Sequence, residues 1–254
     1  MSRADAPQRD VSALGNPRLH LRRTDSTNAR ARELALAGAP HGTLVTAAEQ
    51  TAGRGRQGRR WEAPAGSSVL MSLLLRSPQP LLPLIAAVAV CDVVGDRALI
   101  KWPNDVVIAS GGGLAKLAGI LVESRPQEGW AVLGIGLNVA VRLDQLPDEL
   151  QPGARDPAAG RRPLAAATLG GVPEDVEPVL QRLLAALARR LQDPTETVLE
   201  SWRSRDGLRG RAISWSGGSG LAQGVDGLGR LVVELPAGGR TALTAGEVHL
   251  ESIA

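Results

Sequence analysis

Along the chain the spacing of apolar residues switches between a period of two and a period near 3.6, and the switches mark out elements. LHLRR (19–23) alternates and predicts a short strand. DSTNARARELALAGAP (25–40) offers Asp25 or Ser26 as the cap of a helix that runs through Ala37 and stops near Gly38 and Pro40. TLVTAAEQ (43–50) and SSVLMSLLLR (67–76) predict strands, the second one buried. LLPLIAAVAVCDVVGD (81–96) predicts a core helix ended by Gly95. ALIKWPNDVVIA (98–109) reads as strand, turn, strand, with the turn at Pro103-Asn104-Asp105. GGG (111–113) is a hairpin tip between that unit and two further strands, AKLAGILVESR (115–125) and AVLGIGLNVAV (131–141).

Residues 150–172 are rich in Pro, Gly and Arg and predict a long loop, followed by helices over 174–191 and 195–204. From residue 206 the texture changes to short apolar runs separated by glycine turns, which predicts a small all-β barrel. The order is not a regular βαβ series, so the fold class is α+β. The chain divides into a loose tail (1–15), a main domain (16–205) and the β appendage (206–254).

Composition sharpens this picture at three points. The 254 residues are 43% hydrophobic with no Phe or Tyr, so the core is aliphatic with a few tryptophans. A net charge of +3 gives no global support for nucleic-acid binding. One cysteine, Cys91, permits no internal disulfide, and the N-terminus carries no apolar leader segment, so the expected setting is soluble and cytoplasmic, with no membrane partner. Of 29 basic residues only Lys101 and Lys116 are lysines, which is either chance in an arginine-biased chain or a mark of two places that need a compact ammonium rather than a planar guanidinium.

TAGRGRQGRRW (51–61) matches a dinucleotide fingerprint letter for letter at Gly53, Gly55 and Gly58. Context rejects that reading. A dinucleotide loop leads into a helix, whereas Pro64 and Gly66 forbid one here. A basic patch for nucleic acid lacks interleaved aromatics. Convergent backbone N–H groups and arginine forks instead suit the phosphate or carboxylate of a small molecule.

DSTN (25–28), EQTAGRGRQGRRW (49–61), KWPNDV (101–106), KLAGILVE (116–123) and GIGLNV (134–139), in this order, resemble the biotin protein ligase family. The resemblance implies a fold similar to class II aminoacyl-tRNA synthetases with an SH3-like C-terminal barrel. It implies activation of biotin by Mg-ATP to biotinoyl-5′-AMP, then transfer to a lysine of a biotin carboxyl-carrier protein. By resemblance, Ser26, Thr27, Asn28, Gln50, Arg54, Gly55, Arg56, Lys116 and Gly119 meet biotin, with Leu121 as apolar wall. Gly53, Arg54, Arg56, Arg59, Trp61, Lys101, Asn104 and Asn138 meet the nucleotide, with adenine on Trp61. Arg54, Arg56, Lys101, Lys116 and Asp105 are the catalytic candidates. Asp105 either holds Mg²⁺ or accepts the proton of the incoming lysine. Many members carry an N-terminal DNA-binding domain, for which the residues before LHLRR are too few, so no DNA partner is expected. Sheet edges make a homodimer an expectation. The alternatives are a lipoate ligase or octanoyltransferase, a nucleic-acid-binding module, and a designed or ancestral chain without activity.

Overall fold

The computed structural model describes residues 14–111, 113–151, 164–244 and 246–250. The predicted tail lies almost wholly outside them, as does most of the predicted loop over 150–172.

The described residues form two sheets and four α-helices. The larger sheet contains β1 (Arg18–Thr24), β2 (Leu44–Gln50), β3 (Ser68–Arg76), β4 (Ala98–Lys101), β5 (Asp105–Ser110), β6 (Gly113–Arg125) and β7 (Trp130–Asn138), in the order β1-β2-β3-β7-β6-β5-β4. Only β1 and β2 run parallel. They are joined by α1 (Thr27–Leu36), the crossover that a parallel pair needs. The sheet is therefore mixed and the class is α+β, as the order of elements predicts.

The strands bury alternate residues on opposite faces. Val69, Met71, Leu73 and Leu75 of β3, and Leu133, Ile135 and Leu137 of β7, face one core together with α2 (Leu82–Val94), α3 (Val176–Arg190) and α4 (Thr195–Arg203). Cys91 of α2 is part of that core, where burial pushes its thiol up to about 12, so it is packing rather than chemistry. The other face is covered only in part: α1 packs Ala31 and Ala35 on Val45, Leu74 and Val132.

The smaller sheet contains β8 (Ala212–Trp215), β9 (Gly218–Val225), β10 (Leu231–Glu234), β11 (Arg240–Leu243) and β12 (His249–Leu250), in the order β11-β10-β9-β8-β12. Its end strands do not pair with each other among the described residues, so the sheet is open. It is joined to the larger sheet at β4. Ile100 donates to the Arg205 carbonyl and accepts from Gly207, while the buried Trp102 indole donates to the Gly229 carbonyl at 3.0 Å. Apolar residues of this sheet, among them Ile213, Ala222, Leu231 and Val233, continue the main core. No helix among the described residues is long and apolar enough to cross a membrane.

Candidate active site

The site lies on the face of the larger sheet that α1 leaves open. Register places Lys101 opposite Asp105, Asp105 opposite Gly119, and Gly119 opposite Gly136, one row across four strands. Lys116 joins this face through a β-bulge. Ala118 and Ile120 point to the core, yet so do Ala115 and Leu117, and the pairing slips between Val106 and Val107. A bulge inserts one residue and inverts the alternation beyond it. Lys116 thereby emerges beside Asp105, with Nζ 2.7 Å from Oδ1.

Lys101 is 5% exposed and makes no ion pair within 4 Å among the described residues. Burial holds its pKa below the usual lysine value. Asp105 and Glu247 oppose that shift, while Lys116 and Arg59 add to it.

The arginine loop closes over this row. It leaves β2 at Gln50 and turns through Arg56–Gly58, where Gln57 (φ 54) and Gly58 (φ 76) are both left-handed. It returns with Arg54 bridged to Arg60. No helix follows it, as Pro64 and Gly66 require. Gly53 is needed for close approach, because a Cβ there would strike the Trp61 carbonyl. Arg56 reaches Asn104 Oδ1 at 3.3 Å and the Gly246 carbonyl at 3.4 Å, and Arg59 pairs with Glu247 at 2.5 Å. The C-terminal segment thus holds the loop from the far side. Between loop and sheet is an open cleft of 650 Å³ whose floor includes Leu121 and Glu123.

Trp61 packs inward on the sheet. Its ring lies on Gly136 and Gly119, where any Cβ would meet the indole, and Lys116 Nζ is 5.7 Å from the ring centroid. It forms an apolar wall over the glycine shelf, a place that sequence reasoning did not assign to it.

The polar end of the cleft sits where α1 begins. Ser26 is the N-cap residue but makes no capping side-chain bond; Asp25 Oδ1 instead accepts the Ser26 N–H at 2.8 Å. Gln50 Oε1 accepts the Thr27 N–H at 2.7 Å. Asn28 donates to Glu123 Oε2 at 2.8 Å and its Oδ1 faces Ser72 Oγ at 2.5 Å. Gly134 lies beneath it, and a side chain there would collide with Asn28 Oδ1.

Thr27, Asn28, Gln50, Gly53, Arg56, Trp61, Lys101, Asn104, Asp105, Lys116 and Gly119 are therefore gathered around one cleft. Arg54 and Arg59 lie on its exposed rim with Gly55 between them. Asn138 is on the same face but farther along, with its amide committed to Ser68 and the Ala167 carbonyl. Sequence reasoning missed Ser72, Glu123, Gly134, Gly136 and Glu247. The first four carry a legible signal: small or polar residues at alternate positions of otherwise aliphatic strands. Glu247 carries none.

Residues 20–139 match the model of the biotin/lipoate A/B protein ligase family. The chain is 36% identical over 251 residues to the biotin–acetyl-CoA-carboxylase ligase of Paracoccus denitrificans, covering 90% of this chain and 98% of that one. The chain belongs to the biotin protein ligases. A second ligase of this family, from Mycobacterium tuberculosis, is 36% identical over 253 residues, 89% of this chain and 86% of that one. The bifunctional ligase/repressor BirA of Bacillus subtilis is 37% identical over 231 residues, 82% of this chain and 66% of its own. In fold, the ligase is similar to the Aquifex aeolicus biotin protein ligase solved with biotin and ATP (TM-score 0.72, 24% identity, 93% of this chain and 99% of that one).

Within this ligase, Mg²⁺ has no ready-made protein cage. No three His, Cys, Asp or Glu side chains gather as a metal site among the described residues, and Asp105, Glu123 and Glu247 are engaged by Lys116, Arg32 and Arg59. Mg²⁺ usually takes one or two carboxylates plus substrate phosphates. This donor set does not fit a resident ion.

Proposed function

We propose that this biotin protein ligase joins biotin to ATP and passes it to a lysine of a carboxylase's biotin carboxyl-carrier protein. The observation that carries the reading is the row Lys101–Asp105–Gly119–Gly136 with Lys116 beside it, a cationic centre at the end of an apolar shelf. Biotin's tail lies against Leu121 and the exposed side of Trp61, whose ring packs on Gly119 and Gly136. Its ureido ring meets Ser26, Thr27 and Gln50 at the start of α1. Its carboxylate ends beside Lys116.

A carboxylate oxygen then attacks the α-phosphorus of ATP, the bond from that phosphorus to the bridging oxygen breaks, and pyrophosphate leaves. Lys116 and Lys101, with Arg54, Arg56 and Arg59 from the loop, lower the repulsion between the two anions and stabilise the charge that builds in the transition state. In the second step the acceptor amine attacks the acyl carbon, the anhydride C–O bond breaks and AMP leaves. Asp105, once Lys116 turns to the phosphate, accepts the amine's proton. Asn104 and Gly53 hold the loop closed over the intermediate and exclude water.

The same proposal takes residues 16–205 as the catalytic domain with a class II synthetase-like fold, and 206–254 as an SH3-like domain. It places the protein in the cytoplasm. A homodimer forms through β1, whose outer edge has no strand partner among the described residues, whereas β4 is covered by residues 205–207. Sedimentation would read that state. The deciding experiment is biotin-dependent exchange of pyrophosphate into ATP, followed by transfer to a carrier domain. Exchange driven by lipoate or octanoate instead of biotin would overturn the substrate assignment.

A further inference from the structure

We propose that Glu123, anchored by Arg32, fixes the donor–acceptor polarity of the side-chain hydrogen bonds behind the residues that read the ureido ring, and so determines specificity. The proposal rests on the biotin reading above.

Four buried or half-buried side chains link Glu123 to the biotin end of the cleft. Glu123 Oε1 pairs with Arg32 at 3.2 Å, and Oε2 accepts from Asn28 Nδ2 at 2.8 Å. A carboxylate can only accept, so the Asn28 amide must turn its NH₂ toward it; the Leu121 carbonyl at 3.5 Å, also an acceptor, lies on the same side. Asn28 Oδ1 is thereby forced toward Ser72 Oγ, 2.5 Å away. Ser72 is fully buried and has one proton, which the amide oxygen claims. Ser72 Oγ is left as an acceptor for the Thr27 hydroxyl at 2.8 Å. Thr27 Oγ1 is also 3.1 Å from Gln50 Oε1, which already accepts the Thr27 N–H. Whichever oxygen takes it, the Thr27 proton is spent inside the protein.

Two consequences reach the cleft. Thr27 Oγ1 has only lone pairs left for a ligand. Gln50, its oxygen occupied, has only its NH₂ left, beside Gly53. One acceptor and one donor side by side complement a cyclic urea, which offers N–H and C=O next to each other. They oppose a ring that offers donors alone. Without an acceptor-only group at position 123 only the weak 3.5 Å contact to the Leu121 carbonyl holds the Asn28 amide; when it turns over, the Ser72 and Thr27 hydroxyl protons reverse with it, while the Thr27 backbone N–H keeps Gln50 as it is.

The test uses the full chain and three probes: biotin, its cyclic-guanidine analogue (protonated at neutral pH, donors only) and its desthio analogue (ureido ring intact). Calorimetry gives the affinities of the wild type, Glu123→Gln and Ser72→Ala, the second variant cutting the chain at another link. The expected result is about tenfold weaker binding of biotin and the desthio analogue in each variant, with little loss for the guanidine analogue and KM for ATP unchanged. The preference for urea over guanidine thus narrows about tenfold. Glu123→Asp, still acceptor-only, retains most of the wild-type preference. Equal losses for all three probes, or no loss, would overturn the proposal while leaving the ligase assignment intact. Failure of the wild type to bind biotin would overturn both.

Discussion

The two faces of the seven-stranded sheet are built from the same strands, one residue apart, and have opposite characters. On β7, Leu133, Ile135 and Leu137 enter the core under α2 and α3, while Gly134, Gly136 and Asn138 face the cleft. On β3, Met71 and Leu73 alternate with Leu70 and Ser72 in the same way. The core face gains stability by filling space, and the site face gains function by leaving space empty. Two glycines make room for an indole, and a buried lysine, Lys101, and a half-buried one, Lys116, lie beside it. A one-residue shift, as at the bulge that turns out Lys116, moves a side chain from one role to the other.

That contrast can be broken from either side. Replacing Lys116 by Ala should lower the rate of adenylate formation on the order of 10²–10³-fold, comparable to losing a preorganised charge contact, while denaturant unfolding changes little. A rate within a factor of a few of wild type would remove Lys116 from the chemistry. The converse variant, Leu133→Ala, should cost about 2–5 kcal/mol in chemical denaturation and leave the residual folded enzyme's KM for biotin near wild type, because it empties the core face alone.

Gly136→Ala sits between these two. Its new methyl meets the Trp61 indole, so Trp61 must move, and with it the wall proposed for biotin. KM for biotin should rise about tenfold with small effects on stability and on KM for ATP, an effect the size of a misfitted apolar pocket. Unchanged KM for biotin would show that the shelf is not the biotin floor.

Lys101 sharpens the comparison through pH. Its folded pKa lies below its unfolded value because burial penalises the ammonium. Between those two values the unfolded chain binds more protons, so stability rises as pH climbs through the window and the burial penalty disappears. Lys101→Met should therefore be more stable than wild type at neutral pH, and the difference should shrink toward pH 10.5, the ordinary lysine value. ATP affinity of the wild type should fall over the same window, as the Lys101 cation is lost. Parallel stability curves for the two proteins would contradict this.

The smallest effect is expected at Glu247. Arg59, its partner, is largely exposed, so the pair contributes under about 1 kcal/mol. Glu247→Gln should leave global unfolding unchanged and raise the rate of proteolytic cleavage in residues 54–60 a few-fold. No change in that rate would mean that the C-terminal segment does not hold the loop.

Much of this molecule is legible before folding. The strands, the four helices and the turn at Pro103 follow from apolar period and from residues that cap or break, because those are local preferences. The five motifs together identified the chemistry, and Lys101 and Lys116 stood out among 29 basic residues. Two local readings changed in the structure. Ser26 holds the cap position without a capping bond, while its own N–H goes to Asp25 and that of Thr27 to Gln50. The predicted small barrel is an open sheet among the described residues.

What sequence by itself determined was which residues are apolar, which are charged and which conformations their backbone tolerates. Tertiary structure alone decided which of them meet. Trp61 was readable as an aromatic but not as the wall over Gly119 and Gly136, since those contacts span strands far apart in the chain. Glu247 could not be paired with Arg59 by any local rule, because 188 residues separate them (247 − 59 = 188). The polarity of the chain from Glu123 to Gln50 depends on four elements brought within hydrogen-bonding distance. Periodicity reports the face on which a side chain lies; only the packing of strands and helices sets its neighbours, and neighbours decide where protons and charges are held.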